Sequence, residues 1–250
     1  MSVATGIGAF GDGYRILRQR GIWRFILVPA LISFFVVAMG LWFAITTIDA
    51  LSERALAVLP EWLSFLDWLL TPLIYLFVFL VGGWLFGLLA AAFSGPFMGK
   101  LSRVVERRAG LPEAPPEPPL LASIAAAVKR EARKMLYHLP RLLAAFLLTL
   151  IPVVNAVSPL IWFFFGAWVM AVQFADLPAE NWARPFKDTC SRLREHRLSA
   201  IAFGGCTTAL MSVPIVNILV IPVAVAGGTL LWHRLESDVQ SSGGTPRKDY

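Results

Sequence analysis

LLAAFLLTLIPVVNAVSPLIWFFFGAWVMAVQFA, Leu142–Ala175, is a charge-free run of roughly 34 residues, and its length fits neither one membrane crossing nor two. A helical crossing takes about 20 apolar residues, and two crossings with a turn take more than about 40. Pro152-Val153-Val154-Asn155 followed by Ser158-Pro159 stands in its middle. Proline removes a backbone donor and clashes with the preceding turn, so the cluster reads as a helix stop, a tight turn and a fresh helix start. The arms are then Leu142–Ile151 and Pro159–Gln173. At 1.5 Å per residue the first spans about 15 Å, half of a hydrocarbon core roughly 30 Å thick. Residues 142–175 are therefore expected to form a re-entrant hairpin; a kinked spanning helix is the other reading. A prolyl turn at membrane depth needs protein or water over its freed backbone groups, so the tip is expected in an assembly or beside a cavity.

The pattern recurs. Leu198–Trp232 is also charge-free and carries Pro214-Ile215-Val216-Asn217, then Pro222, about 62 residues after the first copy. A basic helix precedes each block: Lys129-Arg130-Glu131-Ala132-Arg133-Lys134 and Arg192-Leu193-Arg194-Glu195-His196-Arg197. Lys and Arg concentrate in cytoplasmic loops, so basic residues at both ends of a block place those ends on one side. Residues 198–232 are expected to be a second hairpin. Polar groups are few in these blocks. Asn155 and Asn217 are expected as turn residues first and, with Gln173, as candidates to line an aqueous pathway.

The 250-residue chain is 57% hydrophobic and 15% charged, with mean hydropathy +0.68, far too apolar for an average soluble domain. An all-α integral membrane protein is expected. A net charge of +6 could suggest nucleic acid, but the basic residues flank apolar blocks, which is the pattern of a cytoplasmic membrane face. No nucleic-acid partner is expected. Cys190 and Cys206 lack paired spacing, and His138, His196 and His233 are scattered, so neither a disulfide framework nor a metal site is expected. The first apolar run follows a charged segment and is of spanning length, which does not fit a cleavable signal peptide.

In chain order, residues 1–24 are expected to be an amphipathic segment at the headgroups, with Gly6, Gly8, Gly11 and Gly13 weakening a regular helix. Residues 25–48 and 68–99 are the two runs expected to span. The acidic connection Asp49–Asp67 between them belongs outside. Ser94-Gly95-Pro96-Phe97 is expected to bend the chain, and Lys100–Arg108 to continue as a charged helix in which Glu106 partners nearby arginines. Residues 110–119, with five prolines, read as an extended linker. Asp176 is expected to cap a helix or pair with a cytoplasmic arginine. Residues 236–250 read as a flexible tail.

The clearest chemical feature is Gln19-Arg20-Gly21-Ile22-Trp23-Arg24, where a basic segment enters the first long helix. Backbone N–H groups at a helix start, a glycine and Arg24 would make an oxyanion cradle. Read from these residues alone, arginines touching lipid phosphate at the cytoplasmic face are the simpler account. No metal motif, paired carboxylates, activated nucleophile or Walker loop is found, so no enzyme activity and no cofactor are expected. Without an ATP site, transport would be downhill or ion-coupled, and with no buried acid standing out as a proton carrier a channel-like route is the simpler inference.

Several stretches together resemble the CysZ family of bacterial sulfate permeases. They are Gly21-Ile22-Trp23-Arg24-Phe25 with Leu27-Val28-Pro29; Pro96-Phe97-Met98-Gly99; Lys129-Arg130-Glu131 with Tyr137-His138-Leu139-Pro140-Arg141; Trp162 through Gln173; Pro185-Phe186-Lys187; and Pro222-Val223-Ala224-Val225. The resemblance implies a multi-pass protein of the bacterial inner membrane that admits sulfate for cysteine biosynthesis. It implies two spanning helices, hemi-penetrating hairpins and a homo-oligomer, with sulfite or other oxyanions as further ligands. It also implies sulfate binding at Gly21, Ile22, Trp23 and Arg24. The chain departs at Trp23, where family members can carry another basic residue. Members assemble with protomers in opposed orientations, whereas the one-sided basic pattern here favours a single orientation. The second functional reading is a non-transporting membrane scaffold or assembly partner.

Overall fold

Proline and small residues decide where this chain breaks and how closely its helices approach. The computed structural model describes residues 2–19, isolated positions between 31 and 54, residues 67–116 and residues 119–241. Among these the regular structure is entirely helical: α1 (Val3–Leu17), α2 (Asp67–Arg108), α3 (Leu120–Thr149), α4 (Pro152–Asn155), α5 (Ser158–Asn181), α6 (Phe186–Glu195), α7 (Arg197–Met211) and α8 (Pro214–Ser241). Two units are formed, one from Met1–Trp23 with Met98–Tyr250 and the other from Arg24–Phe97.

Within the second unit, most of the expected span 25–48 lies outside the described residues. Leu31, Phe34, Phe35 and Trp42 are helical and exposed. Helix α2 runs from Asp67 to Arg108, and the stretch Ser94–Phe97, where a bend was expected, lies within it. Its Trp68, Phe77 and Phe79 are exposed, an arrangement that suits an apolar solvent.

In the first unit, α3 joins the basic segment and the first apolar arm in one 30-residue helix with Pro140 inside it. Ala, Leu, Lys and Arg dominate that stretch, and their propensity carries the helix across a single missing hydrogen bond. The chain stops at Ile151, which is extended, makes the one-turn helix α4 and restarts at Ser158-Pro159. In the second apolar block the break comes earlier than expected, at Ser212-Val213. Pro214 opens α8 and Pro222 lies inside it. Proline's fixed φ suits a first helical turn, so Pro214 starts the helix there. Asn217, expected in a turn, donates its N–H to Val213 O at 2.9 Å within that first turn.

Helix α5 is the one described helix long and apolar enough to cross a membrane. It packs across α7 and α8. A Cβ at Gly204 would stand 1.8 Å from Ala167 O, so only glycine permits this crossing of α7 over α5. Helix α1 is a regular helix packed on α7 and α8, not the irregular segment its glycines suggested. The reason is the same close approach: a Cβ at Gly13 would lie 2.5 Å from Gly227 N. Gly6, Ala9, Gly13 and Leu17 face this contact, while Val3, Ile7 and Tyr14 are exposed. The tail also begins later than expected. Helix α8 runs to Ser241, and Glu236 is held by Arg192 at 3.4 Å and Arg184 at 3.6 Å.

Candidate functional site

Gly21, Ile22, Trp23 and Arg24, the sulfate-binding residues expected from the sequence, lie outside the described residues. Asn155 is exposed in α4, Gln173 is half-buried some 20 Å further along α5, and Asn217 is half-buried in the first turn of α8. Among the described residues no hydrogen bond joins these three. The Asn217 side-chain oxygen is buried without a hydrogen-bond partner, and an unsatisfied amide at such a position is a polar group open to a further partner.

One turn beyond Gln173, α5 carries the buried Asp176 among charged partners. Arg130 donates from Nε and Nη2 to the two oxygens of Asp176, both at 2.7 Å, and from Nη1 to Arg184 O at 2.7 Å. Lys134 Nζ lies 3.2 Å from Asp176 Oδ2 and 2.8 Å from Glu131 Oε1. Thr189 donates its hydroxyl to Asp176 Oδ1 at 2.9 Å. Asp176 is fully buried, and a buried carboxylate is tolerated only with such pairing. The sequence expected an arginine partner for Asp176; the second cation follows from the i, i+4 spacing of Arg130 and Lys134, which puts both on one face of α3.

Glu106 corrects an expectation. Instead of serving neighbouring arginines, it accepts hydrogen bonds from Trp182 Nε1 and His233 Nε2, both at 3.0 Å, and from Ala114 N–H at 3.3 Å. It is fully buried and ties α2, α5, α8 and the proline-rich linker at one point. Its partners lie 76 and 127 residues away, beyond local spacing rules. Arg107 and Glu113 close the linker from outside with a bidentate pair at 2.9 and 3.1 Å, and hydrogen bonding to Arg107 holds the Glu113 carboxyl below its ordinary value.

A second cluster lies around Tyr137. Its hydroxyl accepts from Trp168 Nε1 at 3.2 Å and Arg194 Nη2 at 3.4 Å, and the guanidinium of Arg141 stacks 3.8 Å from its ring centroid. Burial, reinforced by the Asp176 carboxylate, pushes the adjacent Cys190 thiol up to about 11, which leaves it an inert thiol. Burial and then the Arg141 and Lys134 charges hold His138 below the usual imidazole range, consistent with its buried, unbonded Nδ1. Among the described residues no group of three or more His, Cys, Asp or Glu could hold a metal ion. Asp176 and Glu106 are buried anchors whose oxygens are held by the partners named above.

The family described as "Sulfate transporter CysZ/Etoposide-induced protein 2.4" matches residues 9–222. The chain belongs to this family. It is 35% identical over 241 residues to the protein named "Sulfate transporter CysZ" in Pseudomonas aeruginosa (strain LESB58), covering 95% of this chain and 98% of that one. The Pseudomonas paraeruginosa (strain DSM 24068 / PA7) protein of the same name is 36% identical over the same length. The match to the family extends past both prolyl breaks and includes Glu106 and Asp176, so membership concerns the membrane-protein architecture as a whole. The chain is a membrane protein.

Proposed function

We propose that this chain is a sulfate permease that admits sulfate across the bacterial inner membrane, without ATP, for cysteine biosynthesis. The observation that carries the reading is similarity at 35–36% identity over nearly the whole of proteins named sulfate transporters. Gly21, Ile22, Trp23 and Arg24 are the residues assigned to the anion, because a glycine beside backbone N–H donors and the five-donor fork of Arg24 suit a tetrahedral oxyanion. Trp23 supplies no charge, so Arg24 carries the ion pairing.

In this reading residues 25–48 and 68–99 cross the bilayer, while 142–175 and 198–232 enter it from the cytoplasmic side and turn back. Support comes from the helix breaks at residues 151–157 and 212–213 and from the basic residues at the foot of each block. Asn155, Gln173 and Asn217 line the route, the unsatisfied Asn217 oxygen being the observation in favour. Broad exposed apolar faces, including Phe146, Leu150, Val153 and Phe164, meet lipid or other copies in a homo-oligomer. Sulfite and other tetrahedral oxyanions share the chemistry the cradle recognises. The scaffold alternative has no observation in its favour. Uptake of labelled sulfate into nucleotide-free vesicles containing the purified protein tests the proposal; empty-vesicle rates from folded protein would overturn it.

A further inference from the structure

Arg141 and Arg194 come from different helices, α3 and α6, and converge on one aromatic ring. The Arg141 guanidinium carbon is 3.8 Å and that of Arg194 5.5 Å from the Tyr137 centroid, both within cation–π reach. Tyr137 is itself fixed, by the Trp168 hydrogen bond and by edge packing on Phe186 at 5.5 Å. Two like charges at one ring repel, yet neither forms an ion pair with a carboxylate among the described residues. The nearby acids are engaged elsewhere: Glu131 on Lys134, Asp176 on Arg130 and Lys134, and Glu195 toward Ser191 at 3.4 Å.

A guanidinium carries five N–H donors. Arg141 directs one to Tyr137 O and Arg194 one to the Tyr137 hydroxyl, which leaves most of each fork unspent. Arg197, the first residue of α7, adds a third cation just past the end of α6, its Nε donating to Arg194 O at 3.1 Å. A cation at a helix C-terminus gains from the dipole, which accounts for Arg194 but not for Arg141 joining it from α3. The position is also distinctive. Leu142 follows Arg141 and Leu198 follows Arg197, each exposed and each opening a charge-free block. The forks therefore stand where apolar side chains give way to polar ones at the foot of both blocks.

We propose that Arg141 and Arg194, held by Tyr137, form an oxyanion site, built from residues other than Gly21–Arg24, that takes the tetrahedral phosphate of an anionic phospholipid. A free sulfate presents the same chemistry, so the test carries both sources. Purified full-length protein is followed by native mass spectrometry as phosphatidylglycerol is added, with phosphatidylcholine as the neutral comparison. In parallel, sulfate is titrated against lipid-free protein in neutral detergent, in an Arg24→Ala background, reading tryptophan fluorescence.

Replacing both residues (Arg141→Gln with Arg194→Gln) should weaken phosphatidylglycerol binding roughly tenfold, the scale of a lost charge-assisted contact. Arg107→Gln, which removes one positive charge from an exposed pair, should leave it unchanged. A loss confined to the lipid arm supports the phospholipid as occupant; a loss in the sulfate arm supports the same site with the free anion. Unchanged binding in both arms, or an equal loss in Arg107→Gln, overturns the proposal. Should the glutamine pair fail to fold, the double lysine variant decides: it keeps the charge but not the fork, and affinity equal to wild type in both arms overturns it.

Discussion

Arg130 grips Asp176 through Nε and Nη2, two hydrogen bonds of 2.7 Å to a carboxylate with no exposed surface. The contact joins α3 to α5 across 46 residues of sequence and brings Lys134 to the same acid. Asp176→Asn would leave Arg130 without its carboxylate partner and Lys134 with Glu131 alone. The expected cost is about 3–5 kcal/mol, the range for breaking a buried pair from one side. Thermal unfolding of the detergent-solubilised protein checks it, and a variant as stable as wild type would show that the pair contributes little.

Gly204 sets a steric limit. Its added Cβ would fall 1.8 Å from the carbonyl oxygen of Ala167, which belongs to backbone and cannot swing aside. Gly204→Ala should destabilise by about 1–3 kcal/mol as the helices are forced apart. Gly11→Ala, on α1 where a Cβ meets nothing within 4 Å, should instead be neutral or stabilise by up to about 1 kcal/mol. Paired melting curves separate the two, and equal effects would contradict this packing.

Glu113 gives a pH dependence of known sign. Its folded carboxyl is held below the ordinary 4.5 by hydrogen bonding to Arg107, so the pair's contribution is present above that value and fades as pH falls through the lower folded value. The stability difference between wild type and Glu113→Gln should be small at pH 7, because both groups are exposed, and vanish in acid. Unfolding midpoints measured from pH 7 downward test this. A gap that widened in acid would give the shift the opposite sign.

Access to the breaks tests the proposed hairpins. With Cys190 and Cys206 replaced by serine, Asn155→Cys and Asn217→Cys should resist a membrane-impermeant maleimide added outside intact cells. Rapid external labelling at both positions would mean that the blocks cross.

Helical character, family and the break at Ile151–Val157 were legible in the sequence, since prolines close together leave the backbone few choices. The second break was displaced because Pro214 could begin a helix as readily as end one, and Pro222 was absorbed inside α8. Glycine was misread on α1. Its low intrinsic propensity suggested irregularity, but Gly6 and Gly13 are contact surfaces for α7 and α8, which only tertiary packing reveals. The Glu106 centre was hidden for a related reason: Trp182 and His233 reach it from far along the chain. Arg194 read as an inside-positive charge and Arg141 as part of a family stretch, and only the fold brings them to one tyrosine.

The proposed permease admits sulfate through an anion contact at Arg24. The most direct measurement is the initial rate of labelled-sulfate entry into nucleotide-free vesicles holding equal amounts of folded wild-type or Arg24→Ala protein. Saturable entry by wild type, reduced at least about tenfold in the variant at low sulfate, is the expected result. Wild-type entry no faster than in empty vesicles, or equal entry by both proteins, would contradict it.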